Sequence, residues 1–124
     1  MSGTQVAYRW LVWLILLAVA LQFFLAGLGV LGGESIDPHR GLGSLIELLT
    51  LILAILAFVS KQPKPVLWMC VTLFVLAILQ SLFATEDLDP EWLRSFHVFD
   101  AFLIAGLAQH LAVRAGWPLS PKAS

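Results

Sequence analysis

The sequence predicts an all-α protein, an integral membrane up-down-up-down four-helix bundle. Of its 124 residues, 60% are hydrophobic and only 12% are charged, whereas a water-soluble domain usually carries about 25% charged residues. Four apolar stretches each approach the roughly 20 residues that a helix needs to cross the hydrocarbon core. The connections are short, which makes consecutive helices antiparallel neighbours. We therefore expect one transmembrane domain over residues 1–124, with spans at about 10–31, 40–60, 66–85 and 93–114.

Two Asp-Pro pairs mark the starts of the second and fourth spans. Asp37 precedes Pro38, and Asp89 precedes Pro90. Aspartate is a good N-cap and proline is tolerated at the first helical position, so each pair favours the start of a helix. On this basis His39 is expected in the first turn of helix 2, and the later histidine about two turns into helix 4. In a bundle of this topology, helices 2 and 4 lie diagonally across the core.

The charged residues predict the orientation of the bundle. One side carries only cations, and the other side carries six acidic residues against two arginines. The cationic side therefore faces the cytoplasm, so both termini are expected on the cytoplasmic side of a bacterial plasma membrane. No basic surface is left for nucleic acid once these cations are assigned. The cationic side comprises Arg9, Lys61, Lys64, Arg114 and Lys122, and the other side holds Glu34, Asp37, Glu86, Asp87, Asp89 and Glu91 with Arg40 and Arg94.

An internal repeat relates the two halves of the chain. A shift of 58 residues superposes Gln22 on Gln80 and His39 on His97. Histidine occurs only three times in the chain, so this match is harder to obtain by chance than a match of leucines. We interpret the chain as two related helix hairpins. Both Gln-to-His intervals are 17 residues, and we expect them to place the histidines at equal depth without bringing glutamine and histidine into contact.

Polar side chains within the spans are candidates for function, since ionisable groups in lipid are costly. Gln22 is expected roughly 13 Å below the outer end of helix 1, where it could meet Glu47 near mid-membrane. Gln80 and Asp100 are expected at similar depths to each other. These residues either form interhelical hydrogen bonds that set helix register, or they form a proton-accepting layer beneath the histidines.

The histidine pair points to a metal or haem site. Two imidazoles at equal depth on diagonal helices could take the axial positions of haem b in the bundle core. Asp100 or a glutamine could hold the other ring nitrogen of a ligating histidine, and Arg40 and Arg94 could neutralise haem propionates. A zinc ion bound by His39, His97 and Asp100 is an alternative with weaker support, because no usual zinc-binding spacing accompanies these residues.

The motifs that carry these residues resemble a known family. "LQ…LAGLG…HRxxG" at residues 21–43 and "LQ…LA…HxxxA" at residues 79–101 resemble one four-helix half of the haem A synthase family. They are also similar to small uncharacterised four-helix bacterial membrane proteins of the same pattern. The resemblance implies that His39 and His97 are axial haem ligands. The haem A synthases have eight helices, so a partner or a second copy would supply the other half.

Three functional hypotheses follow. The first is a bis-histidine, b-type haem protein for electron transfer or haem handling near the outer face, with a membrane quinone as a candidate partner. The second is a non-catalytic transmembrane subunit that packs against a larger membrane complex. The third is a small transporter or lipid-binding protein in which Glu47 and Asp100 line a path. No catalytic residue is assigned, and enzymatic activity is left open.

Overall fold

A computed structural model describes residues 1–119, and these fold into four α-helices and one short 3₁₀ helix. Each α-helix belongs to a segment long and apolar enough to cross a membrane. Lys122, which the charge pattern assigns to the cationic side, lies outside the described residues. The elements are α1 (Gly3–Val30), α2 (Asp37–Val59), α3 (Lys64–Phe83), the 3₁₀ helix (Glu91–Arg94) and α4 (Ser95–Ala115).

The first helix begins well before its apolar stretch. Ser2 Oγ accepts a hydrogen bond from the Gln5 backbone N–H at 3.3 Å, and Gln5 Oε1 accepts one from the Ser2 N–H at 3.1 Å. This reciprocal capping box satisfies two backbone donors that the start of a helix leaves unpaired. As a result α1 begins at Gly3, seven residues before the predicted span.

The second and fourth helices begin differently from the prediction. Asp37 is the first residue of α2, and its side chain forms no cap. After Pro90 the chain forms the 3₁₀ helix, with Leu93 N–H donating to Pro90 O at 3.0 Å, and α4 starts only at Ser95. Short 3₁₀ segments are common at helix N-termini. His97 therefore lies in the first turn of α4, and the expectation that it lies two turns into the helix is wrong.

Glycines shape the connection between α1 and α2. Gly33 has φ +70°, in the left-handed region that glycine occupies without strain. A Cβ added to Gly32 would lie 2.7 Å from the carbonyl oxygen of Leu28. The Glu34 N–H donates to the same carbonyl at 3.2 Å. These contacts let the chain leave α1 and enter α2 within six residues.

The helices pack in a ring. Helix α1 contacts α2 and α4, and α3 also contacts α2 and α4. Helices α2 and α4 therefore face each other across the bundle, as predicted. His39 and His97 lie near one end, which we call the histidine end. Arg9 and Arg114 lie near the other, which we call the arginine end.

The buried interior follows the 58-residue repeat. Most residues buried in one hairpin have buried counterparts at the repeat-related positions of the other. The interior also takes several small side chains, which allow close approach of membrane helices. Both hairpins thus contribute equivalent surfaces to one core. The buried pairs include Val12/Cys70, Ile15/Leu73, Val19/Ala77, Ile46/Ile104, Thr50/Ala108 and Leu53/Leu111.

Large apolar side chains also cover the outside of the bundle. Leu17, Phe58 and Trp68 are 67%, 71% and 66% exposed, and similar residues occur on all four helices. Soluble monomers rarely expose apolar patches beyond a few hundred Å². This exterior suits a lipid environment.

Candidate functional site

The two histidines make the same contact with the backbone. His39 Nδ1 lies 3.1 Å from the carbonyl oxygen of Gln22, and His97 Nδ1 lies 3.0 Å from that of Gln80. A carbonyl oxygen only accepts hydrogen bonds, so each Nδ1 must carry the proton and donate. Each neutral imidazole then has its lone pair on Nε2, the form in which histidine binds a metal.

The expectation that the 17-residue interval keeps glutamine and histidine apart is therefore wrong. Gln22 lies about as far below the end of α1 as predicted, but this depth is level with His39 and does not bring it to Glu47. Helix α1 continues for eight residues beyond Gln22, about 12 Å, whereas α2 begins only two residues before His39. The last turns of α1 extend past the start of α2, which brings the Gln22 carbonyl level with His39.

The histidine rings also face each other across the bundle. Their centroids are 6.1 Å apart, and their planes meet at 68°. Each histidine is the third residue of its helix. Two diagonal helices thus present their first-turn imidazoles to a common space.

The glutamine side chains distinguish the two histidines. Gln80 Nε2 lies 3.2 Å from His97 Nε2. Because His97 Nε2 holds a lone pair, the Gln80 amide must donate to it. The buried Oε1 atoms of Gln80 and Gln22 have no hydrogen-bond partner among the described residues.

A mainly apolar cavity of about 260 Å³ lies beside the histidines. All four helices contribute to its wall, and twelve of the fourteen lining residues form six pairs under the 58-residue shift. The cavity therefore lies where the equivalent surfaces of the two hairpins meet. The pairs are Val19/Ala77, Gln22/Gln80, Phe23/Ser81, His39/His97, Gly43/Ala101 and Ile46/Ile104.

Among the described residues, the acidic side chains within the spans form no hydrogen bond with the histidines. Glu47 of α2 accepts a hydrogen bond from Ser81 of α3, and not from Gln22 as the depth estimate suggested. Asp100 is 3% exposed, and its Oδ2 has no partner in the described part of the chain. Within residues 1–119, no group of three or more His, Cys, Asp or Glu side chains could hold a metal ion. Asp100 therefore does not complete a zinc site with the two histidines.

The two arginines at the histidine end differ in their partners. Arg40 Nη2 lies 3.0 Å from Glu86 Oε1, and Arg40 Nη1 lies 4.0 Å from Asp37 Oδ1. The Arg40–Glu86 pair joins the start of α2 to the segment after α3. Arg94 forms no ion pair within residues 1–119.

Sequence reasoning missed Ser81 and Glu86 as contact residues. Both are ordinary polar residues near the end of an apolar helix, and neither has a repeat-related polar counterpart. Their contacts depend on how α2 and α3 are rotated about their axes. The position of Ser81 directly after Gln80 is the only signal that could have drawn attention to it.

These features define a class of protein, an all-α four-helix chain with twin histidine–glutamine contacts around one apolar cavity. The chain belongs to a family of unknown function (DUF6220), whose sequence model matches residues 22–86. The matched segment includes Gln22, His39 and Gln80 and ends before His97. No curated protein and no solved structure matches the chain.

Proposed function

We propose that the chain crosses a bacterial plasma membrane as an up-down-up-down bundle, with both termini in the cytoplasm. Three observations support this: four helices of sufficient length and apolarity, exposed apolar side chains along them, and cations gathered at one end. The arginine end, with Arg9, Arg114 and the exposed Lys61 and Lys64, then faces the cytoplasm.

Within this bundle we propose that His39 and His97 are the axial ligands of haem b. The observation that carries the proposal is the pair of Nδ1–carbonyl hydrogen bonds, which leaves a lone pair on both Nε2 atoms beside one apolar cavity. A hydrogen bond from the other ring nitrogen is the usual support for a ligating histidine, because it fixes the tautomer and orients the ring. The resemblance to one half of the haem A synthases points to the same two residues.

The residues present fit the axial positions of a haem. Two neutral imidazoles on diagonal helices form the donor set that bis-histidine ligation needs. The ring centroids are 6.1 Å apart, so the two imidazoles are near enough to each other for both to reach one metal ion. The cavity of about 260 Å³ is slightly smaller than typical ligand pockets of about 300–1,000 Å³. A macrocycle therefore requires wider helix spacing, and α1 and α4 are the most loosely packed neighbours.

The surrounding side chains have distinct roles in this proposal. His97 would hold the haem through Nε2, the atom to which the Gln80 amide donates in this structure. Arg40 and Arg94 are the cations available for propionates, and Arg40 would exchange its contact with Glu86 for one of them. Bound haem would supply one-electron chemistry.

The proposed roles are electron transfer or haem handling near the outer face. A membrane quinone or a larger membrane complex would be the redox partner. A second copy of this chain would supply the other four helices of the haem A synthase pattern. We do not assign an enzymatic reaction, because no catalytic residue accompanies the histidines.

Visible spectroscopy of the purified protein tests the proposal. The protein is extracted in mild detergent from haem-replete cells, and spectra are recorded before and after dithionite. We expect a sharp Soret shift and a resolved alpha band, both lost in His39→Ala and in His97→Ala. His110→Ala is the matched control, because His110 is exposed and does not line the cavity.

The control variant must keep the spectrum, and circular dichroism must show that all variants remain helical. A colourless parent protein that also takes up no added haemin would overturn the proposal. In that case the protein would be better described as a non-catalytic subunit or a small transporter.

A further inference from the structure

A second cavity, of about 170 Å³, lies at the arginine end. Its wall contains two guanidinium groups, from Arg9 of α1 and Arg114 of α4. The remaining polar side chains of the wall are uncharged, those of Gln5, Tyr8 and Gln62. The cavity thus gathers residues from the first turns of α1, the last turn of α4 and the connection between α2 and α3.

The fold packs the end of α4, which carries Arg114, against the part of α1 that carries Arg9. Trp13 Nε1 donates a hydrogen bond to the carbonyl oxygen of Gly116 at 3.0 Å. The ring of Trp13 also meets that of Trp117 edge-on, with centroids 5.1 Å apart. These contacts fix the end of α4 against α1. Arg114 therefore lines the same cavity as Arg9; Arg9 is half-buried and Arg114 is exposed.

No carboxylate balances this charge within the described residues. The ion pairs of residues 1–119 join Arg40 to Asp37 and to Glu86, at the histidine end. Two arginines that line one cavity give it a positive potential, which favours a bound anion. Planar guanidinium forks match the oxygens of phosphate and carboxylate groups, and the amide groups of Gln5 and Gln62 can donate to the same anion.

We propose that this cavity binds the phosphate group of an anionic membrane lipid. Trp10 and Trp117 are about half exposed at the same end of the bundle, and tryptophan is enriched at the level of lipid headgroups. Cationic pockets between transmembrane helices on the cytoplasmic side bind such headgroups. The cavity volume of about 170 Å³ admits a phosphate with a few waters of about 30 Å³ each.

This inference does not depend on haem. It depends on the bundle lying in a bilayer, and its test can fail while the haem test succeeds. A free phosphate ion offers the same chemistry as a lipid phosphate, so the experiment must separate these two sources.

Lipid retention in nanodiscs tests the inference. The full chain is placed in phosphatidylcholine nanodiscs, with or without phosphatidylglycerol, and a third sample contains phosphatidylcholine with inorganic phosphate. Native mass spectrometry counts bound phosphatidylglycerol, and the melting temperature reports stabilisation. We expect bound phosphatidylglycerol to fall about fivefold in Arg9→Gln or Arg114→Gln, and about thirtyfold in the double variant.

Lys64→Gln is the matched control. Lys64, the first residue of α3, is an exposed cation at the same end of the bundle and does not line the cavity. Its phosphatidylglycerol binding should change less than that of either arginine variant. The double change to lysine, Arg9→Lys with Arg114→Lys, keeps the charge and loses the planar forks, so it should retain an intermediate amount of lipid. Circular dichroism checks that each variant is folded.

Two results would overturn the inference. If Lys64→Gln and the double glutamine variant lose lipid equally, the cations attract lipid as a diffuse surface and the cavity has no special role. If inorganic phosphate in neutral nanodiscs raises the melting temperature as much as phosphatidylglycerol does, the ligand is a free anion and not a lipid.

Discussion

The two helix hairpins place a histidine in the same backbone contact but surround it differently. In both, Nδ1 donates to the carbonyl of the glutamine 17 residues earlier. Only in the α3–α4 hairpin does the glutamine side chain also reach Nε2. The connections differ as well, with six residues between α1 and α2 and a longer segment with a 3₁₀ helix between α3 and α4.

The contacts that orient the imidazole rings are shared by the two hairpins, whereas the side chains that set the electrostatic potential around each ring are not. The shared carbonyl contact sets the tautomer, and it needs only backbone atoms in the correct register. The charged neighbours are not shared, because Arg40, which follows His39, corresponds to Val98 under the repeat. Two histidines that are alike in geometry therefore have unlike electrostatic surroundings.

The largest expected effect tests whether the two hairpins contribute equally to the core. Leu53 and Leu111 are related by the repeat, and both are fully buried. Leu53→Ala and Leu111→Ala should each lower the free energy of unfolding by about 2–5 kcal/mol, because each leaves a cavity. Unfolding in mixed detergent micelles measures the loss. Leu17→Ala, at a position 67% exposed, is the control and should change the free energy of unfolding little. A large difference between Leu53→Ala and Leu111→Ala would show that the two hairpins do not contribute equally to the core.

A smaller effect should come from a contact that only one helix interface possesses. Ser81 of α3 donates to Glu47 of α2, whereas the repeat-related positions hold Phe23 and Ala105. Ser81→Ala should lower the free energy of unfolding by about 0.6 kcal/mol, the average for interhelical hydrogen bonds in membranes, and by no more than about 1.7 kcal/mol. The same micelle unfolding assay applies. Ser44→Ala, at an exposed serine of α2, should cost less, and an equal loss would show that the Glu47 contact is not stabilising.

The glutamines test the asymmetry at the histidines directly. Gln80→Ala removes the donor to His97 Nε2 and should lower the free energy of unfolding by about 0.5–1.5 kcal/mol. It should also shift the nitrogen NMR signal of His97 Nε2, while Nδ1 stays bonded to the carbonyl of residue 80. Gln22→Ala should leave the His39 signal in place. If both variants shifted their histidine signals equally, the two sites would be electrostatically equivalent and the comparison would fail.

The apolar stretches predict the four helices well, because a helix that crosses a bilayer needs an apolar stretch as long as the hydrocarbon core is thick. The helix ends are predicted less well. The capping box at Ser2 extends α1, and the 3₁₀ helix delays α4 until Ser95. The equal spacing of Gln and His predicts that His39 and His97 form a pair. It could not predict the Nδ1 contacts, since every residue has a carbonyl and the register depends on how far α1 continues past Gln22.

The partners of the polar side chains could not be predicted, because they depend on how neighbouring helices are rotated and shifted relative to one another. Gln22 lies level with His39, about two turns along α2 from Glu47, and Glu47 bonds to Ser81 instead. Arg40 has an acidic neighbour one turn away, Asp37, yet its shorter contact is with the distant Glu86. Sequence patterns locate a side chain along its own helix, but they do not give its level or its direction relative to the neighbouring helices.

The smallest expected effect concerns the Arg40–Glu86 pair, which has no counterpart in the other hairpin because Val98 replaces the arginine there. Both side chains are largely exposed, at 62% and 75%, so water and salt screen the attraction. A double-mutant cycle with Arg40→Ala and Glu86→Ala should give a coupling of about 0.2–1 kcal/mol that decreases as salt rises. Arg94→Ala paired with Glu86→Ala is the control cycle and should give none. A coupling well above this range that does not change with salt would contradict the prediction. It would mean that the Arg40–Glu86 pair is shielded from water.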